Sequence, residues 1–420
     1  YGDINIEGNK YFSTKLIEGK FRGFTKAIFN VKDIERAMRY LNSHADRFVR
    51  AVLSAGKKPE TTDISLIVQD KLPWHVSSRF NNRGTKYSGK ERFSTTLRNT
   101  NLTGHDDSLT FSYQMGPSSL MRAYSIGYDI PVTPQGGKLG GYISYVRSRV
   151  GREYRRYKAR GTSLSGGVYF NQPIVDETNS RMDFNISGDV KDIRNYIIGE
   201  RTNADRITAL RPGLSLDTRD TMGRTFVTSS VSFGIPNFIG SMEKIDTSAS
   251  RAGTGSSFVT YDGSLTRINR VTSSIFLVAT GKAQYSSRRL ISAEQMYIGG
   301  GDSVRGYPEL EFMGDHGTSL NLELHMKPAF LPNSLRLPKE KKPFKENITF
   351  VAFFDRGDVW TKGTLPTERD HAFICGAGPG IRLSLYDRVS ASVDWGFPLT
   401  RKPSDASSST VHFSVNIDLP

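Results

Sequence analysis

The sequence has 420 residues, of which 37% are hydrophobic, 11% aromatic and 40 glycine, and its formal net charge is +15. A single cysteine, Cys375, excludes an intrachain disulfide, the seven scattered histidines show no metal-ligand spacing, and no apolar run reaches the ~18 residues of a transmembrane helix. Few aliphatics with many aromatics and glycines describe strands that are polar on one face; a membrane β-barrel stays open, because it shows alternation instead of long apolar runs.

Residues 1–72 read as a small α/β unit. The opening "YGDINIEGNK" is a strand and not a signal peptide, the expectation for a mature or trimmed chain. "FSTKLIEGK" is a short helix with Ser13 as N-cap. Asn30 caps "VKDIERAMRYLNSH", where Ile34, Ala37, Met38 and Leu41 fall at i, i+3, i+4 and i+7 and give one apolar face. "RFVRAVLS" and "DISLIVQD" are two strands around "AGKKPETT". The order β-α-α-β-β predicts a three-stranded sheet with 47–53 at its edge, where backbone groups stay free.

From Pro73 onward alternation replaces the helical period, so 73–420 reads as a second, mainly β domain. Leu109, Phe111, Tyr113 and Met115 share a face, as do Tyr124, Ile126, Tyr128 and Ile130. Leu320, Leu322, Leu324 and Met326 oppose Asn321, Glu323, His325 and Lys327. The pattern fits a sandwich with its apolar side inward or a barrel with that side toward lipid. Length decides: roughly sixteen strands, at about 21 residues per strand plus connection, suit tilted membrane strands of ~9–11 residues. Short connections are expected at "NQPIVDETN", "RDTMG", "TRINR" and "YDR", and long ones at 191–206, 237–255, 286–317 and 361–371.

The basic stretch "RSRVGREYRRYKAR" (147–160) lacks the zinc spacing, RNA-binding aromatics or basic helix of a nucleic-acid site, and reads as a solvated loop or a lipid-head contact. "GDSV" (301–304) resembles a hydrolase nucleophile turn, but no D-x-x-H follows near the end. "GTGSSF" (253–258) lacks the G-K-[ST] of a P-loop, and "RGD" (356–358) lies inside an alternating strand. No enzyme chemistry, cofactor or metal site is expected. In "GGGDSVRGYPE" (299–309) the question is why one cation, Arg305, sits among glycines. If connection 286–317 folds into a barrel, Arg305 enters a confined lumen and requires a carboxylate. Asp355, sharing a strand face with Phe353 and Gly357, is the best candidate, and Gly357 leaves room for the loop. An exposed loop arginine is the alternative, and these residues alone leave it open.

"GGGDSVRGY" (299–307), "F-x-D-x-G" (353–357) and "DTRD…G" (217–223) together resemble the outer-membrane barrel superfamily of barrel-assembly factors and two-partner secretion transporters. "LNSHADRFVRAVLSAGKKPETTDISLIVQDKLP" (41–73), "NNRGTKYSGKERF" (81–93), "NLTGHDDSLTFSY" (101–113) and "YDIPV" (128–132) resemble the secretion branch, the haemolysin or haemagglutinin secretion/activation proteins. The resemblance covers nearly the whole chain. It implies a 16-stranded antiparallel transmembrane barrel behind a periplasmic POTRA module, in the outer membrane of a Gram-negative bacterium. Its implied task is export of a specific large exoprotein, with barrel-assembly insertase and passive porin or surface receptor as alternatives. The implied partners are that exoprotein and membrane lipid including lipopolysaccharide, with no nucleic acid, for a monomeric barrel. The expected latch is Val304, Arg305, Gly306 and Tyr307 against Phe353, Asp355 and Gly357. The expected client strand is Arg47, Phe48, Val49, Arg50, Ala51, Val52 and Leu53, engaged by strand addition. The family carries a plug helix and two POTRA modules, whereas one module is visible here, and the sequence ends "VHFSVNIDLP" without a terminal aromatic.

Overall fold

The computed structural model describes residues 1–25, 28–338, 340, 342–366 and 368–419; Pro420, at the end noted above, lies outside them. The small module comprises β1 (Ile4–Glu7), α1 (Thr14–Arg22), α2 (Val31–Asn42), β2 (Arg47–Ala55) and β3 (Thr62–Asp70). Its sheet runs β1-β3-β2, with β1 parallel and β2 antiparallel to β3, so β2 is an edge as its pattern predicts. Ser13 Oγ accepts the Leu16 N–H at 3.2 Å, and Asn30 Oδ1 accepts the Lys32 N–H at 3.0 Å, which fixes both helix starts. Ile34, Ala37 and Leu41 of α2 are buried against Val49, Ile64 and Leu66, with Met38 packed beside them.

The rest closes into one antiparallel barrel of sixteen strands. These are β4 (Trp74–Asn81), β5 (Arg92–Asn99), β6 (Ser108–Met115), β7 (Met121–Pro131), β8 (Lys138–Arg149), β9 (Arg160–Asp176), β10 (Ser180–Ile197) and β11 (Glu200–Arg219), followed by β12 (Gly223–Gly234), β13 (Val259–Arg270) and β14 (Ile275–Ser286). A two-stranded hairpin, β15 (Met296–Ile298) and β16 (Phe312–Gly314), belongs to the following connection; β17 (His316–Met326), β18 (Ile348–Trp360), β19 (His371–Leu385), β20 (Val389–Pro398) and β21 (Thr410–Leu419) complete the wall. β21 pairs with β4, from Ser414↔Asn81 to Leu419↔Val76, and closes the circle. The outward face is apolar and exposed, for example Tyr124, Ile126 and Tyr128 on β7 and Ile143 and Tyr145 on β8. Closure pairs the wall strands with no free edge, and the apolar outer face is suited to lipid.

Several connections differ from the sequence reading. "NQPIVDETN" belongs largely to β9, and "TRINR" is the end of β13. Residues 191–206, expected as a long connection, are the tips of β10 and β11, joined at 198–199. Both faces of that hairpin are polar, which removes the alternation that marks a half-buried strand. Conversely, 327–347 is a long connection at the end of the barrel that carries the module. The connections 237–255, 286–317 and 361–371 lie where expected, with strand limits at 234/259, 286/316 and 360/371.

Candidate functional site: a loop pinned inside the barrel

Connection 287–315 leaves β14 at the end remote from the module and folds back into the barrel. Val304, Arg305 and Tyr307 are all buried, as are Phe353 and Asp355 on the inner face of β18. Arg305 donates from Nε to Asp355 Oδ2 at 2.7 Å, from Nη2 to Oδ1 at 2.7 Å, and from its backbone N–H to Oδ2 at 3.0 Å. This is a bidentate pair reinforced by the main chain, the strongest geometry available to two such groups. The guanidinium also lies 3.6 Å from the Phe353 ring centroid.

The pair is embedded in a wider network. Arg305 Nη1 donates to Glu323 on β17 at 2.5 Å and stands 3.5 Å from Asp394 on β20. Arg382 on β19 holds Asp394 at 2.8 Å, and Asn321 donates to Asp355 Oδ1 at 2.9 Å and to the Ser303 carbonyl. Two guanidiniums thus share three carboxylates, and Arg305, Arg382, Glu323 and Asp394 line a cavity of about 290 Å³ together with Arg83 and Lys282. Glu323, Asp394, Arg382 and Asn321 escape the sequence reading, because each looks like an ordinary inward polar position of an alternating strand. Only barrel closure brings β20 to the loop.

Backbone clearance seats the loop. A Cβ on Gly357 would stand 2.8 Å from Ile298 Cγ2 and 3.0 Å from Val304 Cγ2, the close approach expected of that glycine. Gly306 has φ +95°, and a Cβ there would press on the backbone of Phe397 and Pro398. The Tyr307 hydroxyl donates to the Arg401 carbonyl at 3.1 Å and accepts the Arg401 N–H at 3.2 Å. Ile298, Val304 and Tyr307 pack with Val359 and Ile374 in an apolar plug against β18 and β19.

Two further anchors hold the same connection. Glu294 accepts both Nη2 bonds of Arg211 at 3.0 Å and the Lys191 ammonium at 2.8 Å, which ties the loop to β10 and β11 on the other wall. Asp315, fully buried, accepts from Arg251 at 2.8 Å, from the Leu290 N–H at 2.9 Å and from the Lys362 N–H at 2.8 Å. Arg251 in turn donates to Glu368 at 2.6 Å, so three outer connections are clasped together.

The module docks on connection 100–107, at the near end. Arg47 Nη1 and Nη2 donate to Asp106 at 3.0 and 2.9 Å, and Lys20 reaches the same carboxylate at 2.5 Å. Asp46 accepts from Thr100 Oγ1 at 2.6 Å and lies 2.8 Å from His75 Nε2. His44 Nδ1 accepts the Asp46 N–H at 3.1 Å, which leaves Nε2–H to donate to the Thr100 carbonyl at 3.0 Å. Burial is the largest influence on His44 and holds its pKa below the ordinary value. For Asp106, burial opposes the charged form, but Arg47 and Lys20 prevail and hold the carboxyl below its usual range.

Of the expected client strand, Arg47 is therefore turned into the docking contact and Val49 into the module core, and neither side chain is offered to solvent. Phe48, Arg50, Val52 and Leu53 are exposed. On the open side of β2, Asn42 already occupies Val49: its Nδ2 donates to the Val49 carbonyl at 2.9 Å and its Oδ1 accepts the Val49 N–H at 2.6 Å. By alternation from Val49, the backbone groups of Ala51 and Leu53 face the same open side.

The profile of the haemolysin secretion/activation family ShlB/FhaC/HecB matches residues 60–383. The chain is 23% identical over 353 residues to the outer membrane transporter CdiB of Dickeya dadantii, covering 79% of this chain and 58% of that protein. It is 22% identical over 337 residues to the heme/hemopexin transporter protein HuxB of Haemophilus influenzae, covering 78% and 59%. The chain thus spans about three fifths of the length of these relatives. The solved structure of CdiB from Escherichia coli superposes with a TM-score of 0.80 at 20% identity, covering all of this chain and 76% of that one. BamA from Haemophilus ducreyi lacking POTRA domains 1–3 superposes with a TM-score of 0.68 at 12% identity, covering all of this chain and 84% of that one, a likeness of fold.

Proposed function

The chain belongs to the haemolysin secretion/activation protein family ShlB/FhaC/HecB, and from that premise we propose that it exports a specific large exoprotein across the outer membrane. The small module is read as a periplasmic POTRA unit, which puts connections 82–91, 116–120, 150–159, 198–199, 235–258, 361–370 and 399–409 at the outer end, from which 287–315 folds inward. The observation that supports the reading is a connection folded against the inner wall and held there by a buried bidentate ion pair. Release of Arg305 from Asp355 would open the path, and the client would pass unfolded along inner walls rich in charge. The client's first contact is read at the edge of β2, by strand addition at Ala51 and Leu53.

The test is secretion from intact cells. Arg305→Ala is expected to insert normally into the outer membrane and to release much less client to the medium. Wild-type secretion by that variant would count against the loop's role. Deletion of residues 1–72 is expected to abolish client binding while leaving pore currents; retained binding would count against the module's role.

A further inference from the structure

The basic stretch 147–160 plays no part in the lumen and carries seven arginines and lysines against one acid, Glu153. Strand alternation sets its direction. On β8 the exposed Leu139, Ile143 and Tyr145 mark the outward face, and Arg147 and Arg149 continue it. On β7 the exposed Tyr124, Ile126 and Tyr128 do the same for Arg122, and on β9 Leu164 and Val168 do so for Arg160. The register then puts Arg122 opposite Arg147 and Arg149 opposite Arg160. Two arginine–arginine pairs therefore stand on the outer wall of three adjacent strands. They lie at the end remote from the module, with two residues (~7 Å) between the arginines of β7 and β8 and their last aromatic.

Like charges directly opposite in a ladder are destabilising unless something between them carries the other sign. Among the described residues none of the four has an ion-pair partner. Arg122 donates to Ser119 Oγ at 2.8 Å, and Arg160 rests 4.6 Å from the Tyr196 ring centroid. The contrast is Arg194, which lies in the same ladder row as Arg122 and Arg147 and is held by Asp192, its Nε 2.9 Å from Oδ1. The connection 150–159 adds exposed Arg152, Arg155, Arg156 and Lys158 beyond the pairs. Paired guanidiniums at headgroup depth match phosphate monoesters, which they bind bidentately, and a lipid anchored below would present such groups at this height.

We propose that the outward pairs Arg122–Arg147 and Arg149–Arg160 form a binding site for the phosphate groups of a phosphorylated glycolipid of the outer leaflet. The proposal rests on the reading of this chain as an outer-membrane barrel. The full chain is reconstituted in phosphatidylcholine vesicles doped with bisphosphorylated lipid A, and bound glycolipid is counted by native mass spectrometry after extraction into detergent. Wild type is expected to retain roughly tenfold more lipid A than the Arg122→Gln/Arg147→Gln/Arg149→Gln/Arg160→Gln variant. A control that loses the same charge on the module, Lys10→Gln/Lys15→Gln/Lys32→Gln/Lys58→Gln, should retain lipid A like wild type, and dephosphorylated lipid A should not be retained. Should the quadruple variant fail to fold, each pair is replaced separately, and a loss confined to folded protein is still expected. Equal retention by wild type and the arginine variants, equal loss in the module control, or equal retention of the dephosphorylated lipid would overturn the site. Failure of wild type to insert into vesicles would instead overturn the barrel reading beneath it.

Discussion

Arg305 and Asp355 are both almost fully buried, and each is the other's principal charge partner. Removing one member of such a pair leaves the other stranded, at a cost of about 3–5 kcal/mol. Arg305→Ala and Asp355→Ala should each release the loop, read as new protease cleavage within 287–315 of the folded barrel. The double variant should add little to either, because one interaction is being removed twice; additive effects would separate the residues. Arg305→Lys should resemble Arg305→Ala, since an ammonium cannot span both Asp355 oxygens and Glu323. Gly396→Ala tests the seat without touching charge: its Cβ would stand 2.7 Å from the Arg305 carbonyl carbon and 2.9 Å from Gly306 Cα. Cleavage equal to wild type in Gly396→Ala would mean the loop does not need that clearance. Asp355 was legible in sequence because F-x-D-x-G displays a carboxylate and a gap on one strand face. Glu323 and Asp394 were not, because their approach to Arg305 depends on register and closure, which local spacing does not encode.

At the scale of elements, three anchors distribute the loop's hold: Glu294 to β10 and β11, Arg305 to β17 and β18, and Asp315 to the outer connections. The edge of β2 is narrower than its sequence suggests, because Asn42 satisfies Val49 from the side. Ala51→Pro removes an outward N–H that β3 does not use, so the module should stay folded while client binding falls; unchanged binding would exclude strand addition at this edge. The helices and strands of the module were legible, since caps and an apolar stripe mark them locally. The tips of β10 and β11 were not. Asp192, Arg194 and Arg206 make that hairpin polar on a face that elsewhere in the barrel is apolar, and a strand wet on both sides carries no period-2 signal.

Across the whole molecule, the module is not a free appendage but is held to the barrel through Asp106, Asp46 and His44. The Asp106 contribution is present above the ordinary carboxylate pKa and disappears only as pH falls through its depressed value, so it is constant near neutrality. His44 works in a different window. Its folded pKa lies below 6.5, so its contribution is full above 6.5 and is lost as pH falls through the depressed value. Docking, followed by crosslinking of module to barrel, should be flat from pH 7 upward and weaken on mild acidification. His44→Gln should remove that acid sensitivity, and an unchanged profile in His44→Gln would assign it elsewhere. A loop held by Arg305 in the route of export should be read directly in single-channel conductance in planar bilayers. Wild type should show small, quiet currents, and Arg305→Ala should show several-fold larger and fluctuating ones at the same insertion efficiency; identical traces from the two proteins would mean that the loop held by Arg305 does not obstruct the pore.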